Sequence, residues 1–184
     1  MRSRRLLYLA PLAVFAAIAA AAAFYLQSGR DPSLLPSALI DKPAPAFSAR
    51  SLEHDGRIIR QGVESASFKG RITVLNFFAS WCAPCLIEHP QITALSKVPG
   101  VTLAGINYKD KPADAARWLD RHGNPYARIG VDRDGEIAPE FGLYGVPETY
   151  LIDRAGRIRF KQVGPITKQV LEEKILPAIE ALGK

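Results

Sequence analysis

The chain has 184 residues, 24 lysines and arginines against 18 acids, and two cysteines, enough for one domain of ordinary size with a short extension. Its net charge of +6 is not a nucleic-acid footprint, because residues 1–30 contain Arg2, Arg4, Arg5 and Arg30 and no acid. The remainder carries 20 basic against 18 acidic residues, a net +2. So few cysteines also exclude a disulfide-stapled scaffold.

Met1-Arg2-Ser3-Arg4-Arg5 is followed by a run from Leu6 to Leu26 with no charge. As a helix that run spans about 31 Å, matching a bilayer core of ~30 Å. Arginines before it, and no further basic residue until Arg30, predict a cytoplasmic segment at 1–5 and a transmembrane anchor at 6–26. Everything after Arg30 is then expected outside the cytoplasmic membrane. A cleaved signal peptide is the competing reading, since the alanine tract offers small-x-small sites. Signal cores are about 7–15 residues long, so the length favours the anchor. Residues 27–40, with Pro32 and Pro36, read as a tether, and 41–184 as one domain docked through Pro43-Ala44-Pro45-Ala46-Phe47.

Within the domain, Ser48–Ser67 is polar with an Asp55-Gly56 turn, predicting short strands or a hairpin. Ile72–Phe78 reads as a buried strand leading to a helix at Ala83–Lys97, with Leu86, Ile92 and Leu95 inward. A second strand is expected at Val101–Asn107, and Pro112 opens a helix through Arg121 that buries Ala115, Trp118 and Leu119. Arg128–Val131 predicts a short strand, and Asp132-Arg133-Asp134-Gly135 a turn before a short helix ending near Phe141. Glu148–Asp153 and Arg157–Gln162 predict a hairpin. Thr167–Leu182 predicts a final helix carrying Val170, Leu171, Ile175 and Ile179 on one face and kinked at Pro177. This alternation indicates an α/β fold, a central mixed sheet covered on both faces.

Chemistry concentrates in Trp81-Cys82-Ala83-Pro84-Cys85, where strand becomes helix. Free N–H groups and the helix dipole at that terminus favour a thiolate at Cys82. A Cys82–Cys85 disulfide closes a ring too small to stabilise a domain through chain entropy, so its use is redox. Zinc bound by Cys82, Cys85 and His89 is the rival reading, although no second cysteine pair supplies the remaining ligands. Pro84 stiffens the first turn, where its missing N–H costs little.

These segments resemble a thioredoxin-fold protein and, more closely, the membrane-anchored thiol:disulfide oxidoreductases of the CcmG/DsbE family of cytochrome c biogenesis. The match is carried by Lys42-Pro43-Ala44-Pro45-Ala46-Phe47 and by Leu75-Asn76-Phe77-Phe78-Ala79-Ser80-Trp81-Cys82-Ala83-Pro84-Cys85 with Glu88-His89-Pro90. It continues in Gly105-Ile106-Asn107-Tyr108-Lys109-Asp110, Gly123-Asn124-Pro125-Tyr126 and Tyr144-Gly145-Val146-Pro147-Glu148-Thr149-Tyr150-Leu151-Ile152-Asp153. The resemblance implies that Cys82 attacks and Cys85 resolves, with Trp81 packed beside them. It also implies a cis peptide before Pro147, leaving Val146 backbone groups to pair with an extended substrate.

Thioredoxins carry a buried Asp beneath the cysteines, and Asn76 stands at that position here. An amide cannot accept the Cys85 proton, so that base is either absent or replaced, and Glu88 or Glu148 is the expected replacement. The family likeness further implies a reductant at the periplasmic face of the inner membrane, needing no bound cofactor or metal. Its partners would be apocytochrome c, whose CxxCH thiols it keeps reduced directly or through a CcmH-like protein, and a DsbD/CcdA-type membrane reductase that resupplies electrons. Its potential is expected well below the roughly −120 mV of a strong oxidant. Rival functions are an anchored reductase for copper-centre assembly or general periplasmic thiols, a metal or haem chaperone, and a thiol peroxidase. The last is disfavoured, since no Pro-x-x-x-Thr-like stretch precedes Cys82.

Overall fold

The computed structural model describes residues 2–27 and 37–183. It divides into two units, an N-terminal helix α1 (Arg2–Gln27) and the folded domain, each considered by itself. α1 contains the uncharged run, with Pro11 inside it. Side chains there are described over 11–24, and among the described residues no helix is long and apolar enough to cross a membrane. Most of the expected tether, residues 28–36, lies outside the described residues. Leu39 and Ile40 already pack on the domain core, and Asp41 N–H donates to Ile158 O at 2.7 Å.

The domain is built on one mixed sheet. Its strands are β1 (Ser48–His54), β2 (Arg57–Arg60), β3 (Val63–Glu64), β4 (Ile72–Phe78), β5 (Val101–Tyr108), β6 (Arg128–Asp132), β7 (Glu148–Ile152) and β8 (Ile158–Val163). They lie in the order β2-β1-β6-β5-β4-β7-β8, with β3 paired to β1. β4, β5 and β6 are parallel, while β7 and β8 return antiparallel. The β1–β2 connection is the Asp55-Gly56 turn, with φ of 50° and 71°, the doubly left-handed geometry that suits a two-residue hairpin.

All seven residues of β4 are buried, so both faces of the sheet are covered. On one face Ile72, Val74 and Phe78 join a core with α2 (Ala83–Leu95), α3 (Pro112–His122) and the C-terminal helix. On the other, Leu75 and Phe77 pack with Phe68, Tyr150, Phe141 and α4 (Ile137–Glu140). Ala115 and Leu119 of α3 are buried as expected, with Trp118 packed at the core edge.

One expectation needs correction, and a second is met with added detail. Leu86 points to solvent, 43% exposed, because the inward stripe of α2 is Cys85, Glu88, His89, Ile92 and Leu95. A carboxylate and an imidazole on that stripe conceal its period from a reading of apolar residues alone. The C-terminal helix runs as Lys168–Val170, widens into a π-turn over Leu171–Ile175 and closes as Leu176–Gly183. Pro177 has no N–H to return to Glu173, and its ring crowds that carbonyl. The widened turn one step earlier absorbs the misfit.

Candidate active site

The parallel register places the carboxyl ends of β4, β5 and β6 together: Phe78 lies opposite Asn107, and Tyr108 opposite Asp132. β7 starts at the same end, with Glu148 opposite Phe77. The loops after β4 and β5 and the loop before β7 therefore share one edge, where open α/β sheets place their sites.

Cys82 is the N-cap of α2, with an extended backbone, and its Sγ accepts the Cys85 N–H at 3.1 Å. Pro84 occupies the first turn. The two cysteines are joined in a disulfide, their Cα atoms 5.3 Å apart. Both are buried, Cys82 at 4% exposure and Cys85 at 2%, so Cys82, the expected attacking residue, is scarcely the more open of the two. Trp81 is not a core residue. It is 57% exposed beside the disulfide, and its Nε1 donates to Lys109 O at 3.0 Å.

That strut belongs to a clamp the sequence reading did not single out. Asp110, buried among polar groups, accepts from Ser80 N (2.7 Å), Ser80 Oγ (2.9 Å), Asn107 Nδ2 (2.9 Å) and Lys111 N (2.8 Å). The loop after β5 thereby fixes the loop that carries Trp81 into Cys82. Asp110 closes the Gly105–Asp110 segment that carries the family resemblance, but its role as an acceptor is not legible from an acid two residues beyond an apolar strand.

Across the edge the Val146–Pro147 peptide is cis. Val146 packs against the core cluster that contains both cysteines, and Pro147 O accepts from Gly164 N at 3.0 Å. Tyr144, in the same loop, is 70% exposed.

Beneath the cysteines lies a buried polar network. Asn76 Nδ2 donates to Glu88 Oε1 at 2.9 Å and to Thr149 Oγ1 at 3.0 Å, and Asn76 Oδ1 accepts from Tyr126 OH at 2.7 Å. Ile166 N–H donates to Glu88 Oε2 at 2.9 Å. Burial raises the Glu88 carboxyl from an ordinary 4.5 to about 7, and the two hydrogen bonds oppose that rise. Glu88 follows Cys85 by three residues on the inward stripe of α2, so both occupy one helix face.

Glu148 occupies the other face of the sheet. It alternates in register with Tyr150 and Ile152, which belong to the core opposite the cysteines. Its carboxylate accepts from Tyr144 N (2.8 Å) and Tyr150 OH (2.8 Å) and pairs with Lys161 Nζ at 3.0 Å. Lys161 also donates to Gly142 O at 2.8 Å and stands 4.6 Å from the Tyr144 ring centroid. Nothing in sequence links Lys161 to residue 148; the β7–β8 pairing does.

His89 is turned towards α3. Its Nε2 lies 3.1 Å from both His122 O and Gly123 O, its ring stands edge-on to Trp118, and burial lowers its pKa. Among the described residues no group of three or more His, Cys, Asp or Glu is disposed to hold a metal ion.

Comparisons with known proteins agree with this geometry. The family model described as Redoxin matches residues 40–178. The chain is 41% identical over 181 residues to the thiol:disulfide interchange protein DsbE of Pseudomonas aeruginosa, covering 97% of this chain and 96% of that one. It is 42% identical over 185 residues to the thiol:disulfide interchange protein CycY of Rhizobium leguminosarum bv. viciae, covering 98% and 97%. A crystal structure of a Chlorobium tepidum protein described as a DsbE-type thiol:disulfide interchange protein superposes with a TM-score of 0.63 at 28% identity, over 79% of this chain and 99% of that one. These relatives are named for thiol:disulfide interchange, and the Cys82–Cys85 disulfide at the α2 N-terminus is a bond that can undergo it. The chain belongs to the Redoxin family and, within it, to the CcmG/DsbE thiol:disulfide interchange proteins, and it is a thiol:disulfide oxidoreductase.

Proposed function

We propose that this protein is a dedicated reductant in cytochrome c maturation, held at the periplasmic face of the inner membrane by residues 6–26. Its task is to keep the CxxCH thiols of apocytochrome c reduced for haem attachment, directly or through a CcmH-like partner. A DsbD/CcdA-type membrane reductase returns the electrons. The observation that carries this reading is the Cys82–Cys85 disulfide at the α2 N-terminus, in a chain about 40% identical to DsbE and CycY proteins over nearly its whole length. The charge-free run Leu6–Leu26, preceded by three arginines, supports the anchor and its orientation.

The reduced enzyme works in two displacements. The Cys82 thiolate attacks one sulfur of the partner's disulfide, that S–S bond breaks, and one partner thiolate leaves. Cys85 then attacks Cys82 Sγ of the mixed disulfide and releases the second partner thiolate, so that two electrons pass to the partner and the Cys82–Cys85 bond forms. The α2 N-terminus and the Cys85 N–H stabilise negative charge on Cys82. Cys85 must lose its proton to attack, and Glu88 is the acceptor. It shares the cysteines' face, is buried beside the resolving position and titrates near neutrality. Glu148 already holds three donors on the opposite face and serves to shape the cis-proline loop. Trp81 and Val146 flank the disulfide where an extended partner segment would lie.

The test is a covalent trap. Cys85→Ser, expressed full-length in its host, leaves the Cys82 adduct unresolved. Recovery of apocytochrome c or a CcmH-like protein supports the proposal. A broad set of periplasmic proteins, or a copper chaperone, would replace it with a less specialised reductase.

A further inference from the structure

The Asn76 amide has an oxygen end and a nitrogen end, and the carboxylate of Glu88 meets opposite chemistry according to which end faces it. Thr149 Oγ1 does not choose, because a hydroxyl both donates and accepts. Glu88 does not choose in its neutral form either. Tyr126 does. Its hydroxyl lies 2.7 Å from Asn76 Oδ1 and is wholly buried, so its proton has a partner only if the amide presents its oxygen. Burial and the nearby Glu88 charge keep this phenol protonated, hence a donor, at any ordinary pH.

The ring that carries the hydroxyl is itself pinned. It stacks on Phe78 with centroids 4.8 Å apart and planes 16° from parallel. Gly105 makes this possible, since a Cβ there would lie 2.9 Å from the Phe78 ring and 3.0 Å from the Tyr126 ring. The Tyr126 backbone is tied at both groups, N–H to Asn124 Oδ1 at 3.2 Å and carbonyl to Arg60 Nε at 2.9 Å.

We propose that Tyr126 is a positioning residue of the exchange reaction: its hydroxyl locks the Asn76 amide with Nδ2 toward Glu88, so that this carboxyl meets a donor whenever it takes the Cys85 proton. The inference rests on Glu88 being the proton acceptor. The groups set around Glu88 are Asn76 from β4, Thr149 from β7, the Ile166 N–H before the C-terminal helix, Tyr126 from the loop before β6, and Cys85 on α2 itself. Of these only Tyr126 and the reduced Cys85 titrate.

The experiment uses the full-length protein with Tyr126→Phe, which keeps the ring and its stack and removes one oxygen. The Glu88 carboxyl is followed from pH 5 to 9 by infrared difference spectroscopy, its band assigned by its loss in Glu88→Gln. The rate at which the reduced protein reduces glutathione disulfide is measured over the same range. Without the lock the amide turns its oxygen to Glu88 or loses its fixed donor. The carboxyl midpoint is then expected to rise by about one to two pH units, the worth of a hydrogen bond to a charged group. The exchange rate at neutral pH falls roughly tenfold and recovers in alkali. In the Glu88→Gln background, adding Tyr126→Phe leaves the pH profile unmoved. A carboxyl midpoint unchanged by Tyr126→Phe, or an equal rate loss in both backgrounds, would overturn the proposal. If Glu88→Gln alone leaves rate and profile intact, the acceptor reading fails, and the carboxyl midpoint still decides whether Tyr126 sets it.

Discussion

Lys161 Nζ lies 3.0 Å from Glu148 Oε2, and the two side chains are 4% and 1% exposed. The pair joins β8 to the residue that follows cis-Pro147. Removing one member strands the other charge in the interior. Lys161→Met is expected to cost about 3–5 kcal/mol, as breaking a buried pair does, whereas Lys161→Met with Glu148→Gln recovers part of that loss. Thermal unfolding of the single and double variants checks it, and a double variant no more stable than the single would show that the charges are not coupled.

Glu88 makes stability depend on pH. Its folded-state carboxyl holds a proton up to about 7 and its unfolded one only to about 4.5, so the folded state binds more protons between these values. The contribution is fully present below pH 4.5 and is lost as pH rises through 7, on the order of 3 kcal/mol. Urea unfolding of the oxidised protein from pH 4.5 to 8 should show Glu88→Gln gaining on the parent as pH rises. A constant gap would refute the assignment.

Asp110 holds the approach to the disulfide. Asp110→Ala leaves the backbone N–H groups of Ser80 and Lys111 and the Asn107 amide without their acceptor. A loss of about 2–4 kcal/mol is expected, from several buried donors each costing roughly 1–3 kcal/mol with partial rescue by water. Asp110→Asn keeps the size and one acceptor and should fall between. Chemical denaturation ranks the three proteins.

Trp81 contributes little to the fold, being mostly exposed. Trp81→Ala should change stability by only about 1 kcal/mol. Exposed aromatic rings beside a reactive centre carry a large share of protein recognition. The variant should therefore slow exchange with a protein partner far more than exchange with glutathione disulfide. Equal slowing of both would place Trp81 in the chemistry rather than in recognition.

Local sequence rules located most elements because the interactions behind them are local. Ile72–Phe78 is a continuous apolar run, Asp55-Gly56 supplies the two left-handed residues of a hairpin, and Pro112 opens α3 within its first turn. Cys82 and Cys85 were legible for the same reason, since a cysteine pair at a strand-to-helix junction needs nothing distant to define it. Leu86 was misplaced because the inward face of α2 is partly polar, and periodicity reads only its apolar members.

The sequence by itself determined the cysteine pair, its place at a strand-to-helix junction and the family, all carried by short contiguous segments. Only the tertiary structure decided which face of the sheet each of the two acids occupies. Alternation along β7 turns Glu148 onto the face shared with Phe141, Tyr150 and Lys161, while α2 folds Glu88 back over Asn76 beneath the cysteines. Residues 76, 88, 126, 149 and 166 meet in one buried network through strand pairing and helix packing. No local propensity encodes such a meeting, because its energy comes from burial that exists only once the sheet has closed against its helices.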